Sequence, residues 1–126
     1  MLTLPPAVRI FVAVGATDMR KQFDGLVALV RDGMREDPYA GHVYAFANRR
    51  RDRIKLLYFD RSGFWLCAKR LEAGTFAWPS AASDGRPVEW RAADLALLLS
   101  GVDPARVARR KWWVRDVAET AVKNSF

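Results

Sequence analysis

Between Arg49 and Arg70 the chain carries eight basic side chains (Arg49, Arg50, Arg51, Arg53, Lys55, Arg61, Lys69 and Arg70) against two acids, Asp52 and Asp60. That block holds six of the seven net positive charges of the sequence, and the residues before Arg49 balance five bases against five acids. Charge concentrated in this way suits a partner whose own charge is local and negative. Phosphate backbones are the commonest such partner, because each Arg or Lys that neutralises a phosphate releases condensed counterions. Acidic proteins and anionic membranes satisfy the same charge, so the overall pI near 10.2 does not choose among them.

The block is interleaved with Tyr58, Phe59, Phe64 and Trp65. A solvated basic tail lacks such groups, whereas a cationic surface on a packed sheet uses them to anchor its inner side. Asn48 to Arg53 (NRRRDR) falls between two strand-like runs, where guanidinium groups at a hairpin tip can reach phosphates or enter a groove. A charged turn that discourages edge aggregation is the simpler alternative, but four arginines exceed what solubility requires. Asp52 is expected to pair with a neighbouring Arg and orient it. Lys69 and Arg70 extend the cationic strip only if they point the same way as Lys55.

Arg20 and Lys21 form a second candidate group, within DMRK at a strand-to-helix junction. Helix N-terminal amides flanked by bases can hold a phosphate. Asp18 capping the helix while Arg20 pairs with an acid explains the same residues and stands slightly ahead. Trp65 and Trp78 could stack on unpaired bases, worth roughly 1–3 kcal/mol per base. Packing is the commoner use of aromatics in so small a domain.

Other chemistries find little support. His42 and Cys67 are the sole His and Cys, short of a structural zinc set. Asp18, Asp24 and Asp60 could gather around magnesium, but Asp52 and Lys55 stand one residue too far apart for the acid, any residue, lysine signature of many nucleases. A non-enzymatic protein without cofactor or metal is therefore expected. A single cysteine forbids an internal disulfide and fits a reducing cytoplasm. Neither a secretory signal nor an apolar run near the roughly 18 residues of a membrane span is visible, so a cytoplasmic location without membrane contact is expected.

Around these residues, 126 residues with 51% apolar content suffice for one domain with a real core. Strands are predicted at Val8 to Val14, Val43 to Asn48, Ile54 to Asp60, Phe64 to Leu71 and Pro87 to Trp90. The apolar stripe Phe23, Leu26, Val27, Val30 and Met34 predicts a helix to Glu36, with Asp18 or Asp24 as cap and Asp37-Pro38 as stop. A second helix is predicted over Arg91 to Ser100, ended by Gly101, and a third from Asp103-Pro104. The fold class is α+β: an antiparallel sheet of four or five strands, both helices on one face, the other face and the hairpin tip basic. Residues 1–103 form the domain and 104–126 a basic C-terminal helix or flexible tail. That tail joins Arg109, Arg110 and Lys111 to Trp112 and Trp113 and is expected to order on binding.

The runs TDMRKQFDGLVALV (Thr17 to Val30), FANRRRDRIKLLYFDRSGFWLCAKRLEAGTFAWP (Phe46 to Pro79) and LALLLSGVD (Leu95 to Asp103) together resemble the TnpB accessory protein of the sixty-six family of bacterial insertion sequences. The resemblance covers about Val8 to Asp103. It implies a protein encoded within a mobile element, acting beside a larger transposase and another small accessory protein, with DNA binding the usual supposition. Two residues depart from the pattern: Arg51 stands where the family often has glycine, and Phe59 where it often has tryptophan. The leading expectation is a DNA-binding accessory factor, gripping the element's ends through Arg49, Arg50, Arg51, Arg53, Lys55, Lys69 and Arg70, with Arg20 and Lys21 secondary. A scaffold contacting the transposase is the alternative, and a small metal-dependent nuclease the third option.

Overall fold

Ile10, Phe11, Val12 and Val14 are apolar and buried, and they belong to one inner strand of a five-stranded sheet. The computed structural model describes residues 7–79 and 86–100. Strands β1 (Ile10–Ala16), β2 (Val43–Ala47), β3 (Arg53–Phe59), β4 (Phe64–Arg70) and β5 (Val88–Trp90) lie in the order β4-β3-β2-β1-β5. Helix α1 (Phe23–Ala28), which widens into a π-helical turn over Leu29–Met34, joins β1 to β2, and α2 (Ala92–Leu99) follows β5. Gly101 and the third predicted helix lie outside the described residues.

The sheet is mixed, not purely antiparallel. β1 and β2 pair in parallel, Ile10 opposite Val43 and Val12 opposite Ala45, while the other neighbours are antiparallel. Two parallel neighbours need a crossover, and α1 is that crossover. The β1–β2 register shifts between Val12 and Ala16, which pairs with Ala47. Ala13 to Gly15 therefore bulge out of the ladder.

The two helices cover opposite faces of the sheet, which corrects the expectation that they share one. On the first face Phe11, Tyr44, Phe46 and Leu57 pack with Leu26 and Val30 of the α1 segment. On the second, Ile10, Val12, Val43, Ala45, Ile54 and Leu56 pack with Leu95 and Leu98 of α2 and with Phe76. Every residue of β2 is buried, as expected of a strand covered on both sides. Truncating Leu26 or Leu98, both fully buried, would cost about 2–5 kcal/mol. Among the described residues no broad basic face remains, because apolar side chains occupy the centre of both.

The α1 segment ends earlier than its pattern predicts. Arg35 takes a left-handed conformation (φ 58°), and the Glu36 amide bonds back to the Val30 carbonyl at 3.0 Å. Neither Asp18 nor Asp24 caps its start; Gln22 holds the cap position without a side-chain bond, and Asp18 instead accepts from the Arg20 amide at 2.9 Å. Phe23 is 44% exposed, at the rim of the core stripe it was expected to join.

Candidate nucleic-acid interface

Strand directions decide where the bases go. β1 and β2 finish at one end of the sheet, β3 begins there and β4 ends there. The loop carrying Arg20 and Lys21, the Asn48–Arg53 turn, Lys55, Lys69 and Arg70 therefore gather at that end, from three separate stretches of sequence. The cations are collected at an edge rather than spread across a face.

Within this basic end the side chains divide sharply. Lys55 is buried (9% exposed), and its ammonium donates to the carbonyls of Met19 (2.9 Å) and Lys21 (2.8 Å) and to Gln22 Oε1 (3.3 Å). It points to the α1 side of the sheet and fastens the DMRK loop to β3. Lys69 points to the opposite side, as alternation along a strand requires of a residue next to Arg70, and donates to the Leu99 carbonyl at the end of α2. The expectation that Lys55 and Lys69 contact phosphate meets two ammonium groups already committed to backbone oxygens. A cation at the last carbonyls of a helix also complements the helix dipole.

Arg51 turns inward too. Its backbone is left-handed (φ 61°), the conformation glycine adopts without strain, which accounts physically for the glycine common at this position in the resemblance. Its Nη2 donates to the Val14 carbonyl (3.1 Å), and its guanidinium lies 5.7 Å from the centre of the Trp78 ring. The Trp78 indole N–H donates to the adjacent Ala13 carbonyl at 2.7 Å. The two side chains together satisfy carbonyls that the β1 bulge leaves outside the ladder. Burial pushes the Arg51 guanidinium below its ordinary value. Trp78 thus has a packing role.

The turn is organised by Asn48, which the sequence reading left without a role. Its Oδ1 accepts from the amides of Asp52 (3.1 Å) and Arg53 (3.0 Å), and its Nδ2 donates to Asp52 Oδ1 (2.6 Å). Asp52 is therefore held by Asn48, not by a neighbouring arginine, and Asn48 is the main reason its carboxyl lies below the usual value. The Leu71 amide donates to the Asp52 carbonyl (2.8 Å) and the Phe76 amide to the Arg51 carbonyl (2.7 Å), docking the turn against the segment after β4.

Arg20 forms a bidentate pair with Asp18, with Nη2 to Oδ2 at 2.7 Å, and this partner holds the Asp18 carboxyl at about 2. Arg70 pairs with Glu72 at 3.3 Å. Lys21, Arg49, Arg50 and Arg53 are exposed, and among the described residues their side chains make no hydrogen bond or ion pair. Arg53 and Arg70 face each other across β3 and β4 and line a groove of about 540 Å³ with Met19, Lys55, Ala68 and Glu72.

Residues considered for other chemistry are otherwise engaged. Asp60 accepts from the Ser62 amide and hydroxyl, the Gly63 amide and the Trp65 indole (2.7 Å); with Trp65 the largest influence, its carboxyl falls to about 2. His42 accepts from the Arg9 amide (3.1 Å) beside Phe11. Among the described residues, no three His, Cys, Asp or Glu side chains gather as a metal site would need. No helix among them is long and apolar enough to cross a membrane.

A scan of protein families matches residues 8–109 to the family described as IS66 Orf2 like protein. The chain belongs to that family. The match spans the whole sheet, both helices and the basic end. Two proteins of Sinorhizobium fredii are similar along most of their length: the uncharacterized protein y4jC, 39% identical over 82% of this chain and 86% of its own, and the uncharacterized protein y4hO, 37% identical over 82% and 88%. No solved structure matches. Membership assigns the chain an accessory role in insertion-sequence transposition, in a family not known as enzymes.

Proposed function

We propose that this chain serves transposition by binding DNA through the basic end of its sheet, without catalysing a reaction itself. One observation carries the proposal: the topology brings Lys21, Arg49, Arg50 and Arg53 to one end of the molecule with their charges unpaired among the described residues. Exposed guanidinium groups on short turns suit the sugar-phosphate backbone, where contacts set position and orientation more than sequence preference. Arg70 and Arg20 border the same end and join once their carboxylate partners yield.

A mobility-shift comparison tests this directly. The element's terminal repeats, random duplex and single strands are titrated with the full chain at two salt concentrations. Neutralising about four phosphates gives a logarithmic salt slope near −4. Absence of a shift with every substrate at low salt would refute the proposal.

A scaffold role draws on one separate feature. At the opposite end of the sheet Trp65 is 53% and Tyr39 59% exposed, with Tyr39 against Phe59 and Phe64 at 5.1 and 5.3 Å. Exposed aromatics of this kind anchor protein interfaces. Purified transposase retained by the chain after nuclease treatment, and released by Trp65→Ala, would favour contact with the transposase over contact with DNA.

A further inference from the structure

Arg53 and Arg70 occupy directly opposed positions of β3 and β4, on the same side of the sheet. Like charges placed so are mutually unfavourable, and a fold keeps them at a cost unless something anionic sits between them. The space for it exists. Ala68 stands opposite Lys55 in the next pair on the same face, so a small side chain leaves the groove open where a larger one would fill it. The Lys55 ammonium is turned away to the Met19 and Lys21 carbonyls, and at about 540 Å³ the groove falls within the range of ligand-sized clefts.

Among the described residues Glu72 supplies the only carboxylate lining this groove, and it engages just one of the two arginines. Its contacts to Arg70 are long, 3.3 and 3.4 Å, with both side chains mostly exposed. The Arg9–Glu89 pair elsewhere in the chain is bidentate at 2.6 and 2.9 Å. A long, exposed pair contributes little and yields readily to a better anion.

We infer that Arg53 and Arg70 form a two-pronged seat for one backbone phosphate of the bound nucleic acid, and that Glu72 occupies Arg70 until that phosphate displaces it. Arginine suits the role because its planar fork matches the oxygens of a phosphate. Glu72 then acts as an internal competitor that weakens binding and makes it more dependent on a correctly placed phosphate. This seat rests on the DNA-binding proposal and specifies one contact within it.

Fluorescence anisotropy with a labelled random duplex tests the seat, using the full chain and the variants Glu72→Gln, Glu89→Gln, Arg70→Ala and the double variant Arg70→Ala with Glu72→Gln. Glu72→Gln and Glu89→Gln raise the net charge equally, so a general charge effect is common to both. The seat predicts that Glu72→Gln tightens binding several-fold more than Glu89→Gln, that this excess vanishes in the Arg70→Ala background, and that Arg70→Ala weakens binding several-fold while the salt slope falls by less than one, because Arg53 still holds the same phosphate. Equal tightening by the two glutamine variants, or an excess that survives Arg70→Ala, would overturn the seat while leaving DNA binding intact. No binding by the unaltered chain at low salt would overturn both.

Discussion

The Lys55 ammonium reaches the Lys21 carbonyl at 2.8 Å, so a lysine on β3 holds in place a loop more than thirty residues earlier in the sequence. The bond ties the basic end together: the loop bearing Arg20 and Lys21 stays beside Arg53 because Lys55 bonds it at Met19, Lys21 and Gln22. The lysine counted from the sequence as a phosphate contact spends its ammonium hydrogen bonds on this loop.

Replacing Lys55 by Met should therefore act on stability first. It strips donors from the Met19 and Lys21 carbonyls, at an expected cost of about 2–3 kcal/mol in a urea titration. The salt slope of DNA binding by the folded variant should change by less than one. A lowered slope with unchanged stability would mean that the ammonium meets phosphate after all.

Arg51 separates backbone from side chain in a second experiment. Arg51→Gly and Arg51→Ala both lose the bond to the Val14 carbonyl and the contact with Trp78, but only glycine is at ease with the left-handed backbone. The glycine variant should be the more stable of the two by about 1 kcal/mol. Equal stabilities would show that the turn relaxes on losing the arginine.

Acid should weaken the fold in a defined window. Asp18 and Asp60 both titrate at about 2 in the folded chain, against an ordinary value of 3.8. A carboxyl lowered on folding contributes stability that is complete above the unfolded value and is lost as pH falls through the folded one, here between about 4 and 2. Asp60→Asn keeps an oxygen for the Ser62 and Gly63 amides but loses the charge facing the Trp65 indole. Its melting temperature should lie below that of the unaltered chain at neutral pH, and the gap should close towards pH 2. A gap of the same size at both pH values would contradict the assignment.

Much of this architecture is legible in the sequence, and the misreadings have identifiable physical sources. Each of the five strands and both described helices fall where apolar periodicity places them, to within a few residues. The meander from Val43 to Arg70 is equally plain, because short polar turns force antiparallel neighbours. Pairing across the α1 crossover is not local: β1 and β2 meet only after the helix folds back, so their parallel direction follows from the strand-helix-strand order and not from either strand's residues. The same crossover puts α1 on one face and leaves the other to α2. Alternation along β4 was enough to separate Lys69 from Arg70. By contrast, the burial of Lys55 depends on carbonyls of a distant loop, and carbonyls leave no mark in a sequence. Arg51 turns inward because the β1 bulge exposes the Val14 oxygen, a consequence of register that side-chain types do not announce.

The salt dependence of DNA affinity in the triple variant Arg49→Ala, Arg50→Ala and Arg53→Ala tests the basic end most directly, with Arg31→Ala, Arg35→Gly and Arg61→Gly combined as an equal change of charge away from it. Glycine is chosen at Arg35 and Arg61 because both have left-handed backbones, φ 58° and 85°. If DNA lies against the basic end, the slope near −4 falls to about −1 in the first variant and stays close to its original value in the second. Equal losses of slope in the two variants, or none in the first, would contradict the assignment of DNA binding to this end of the sheet.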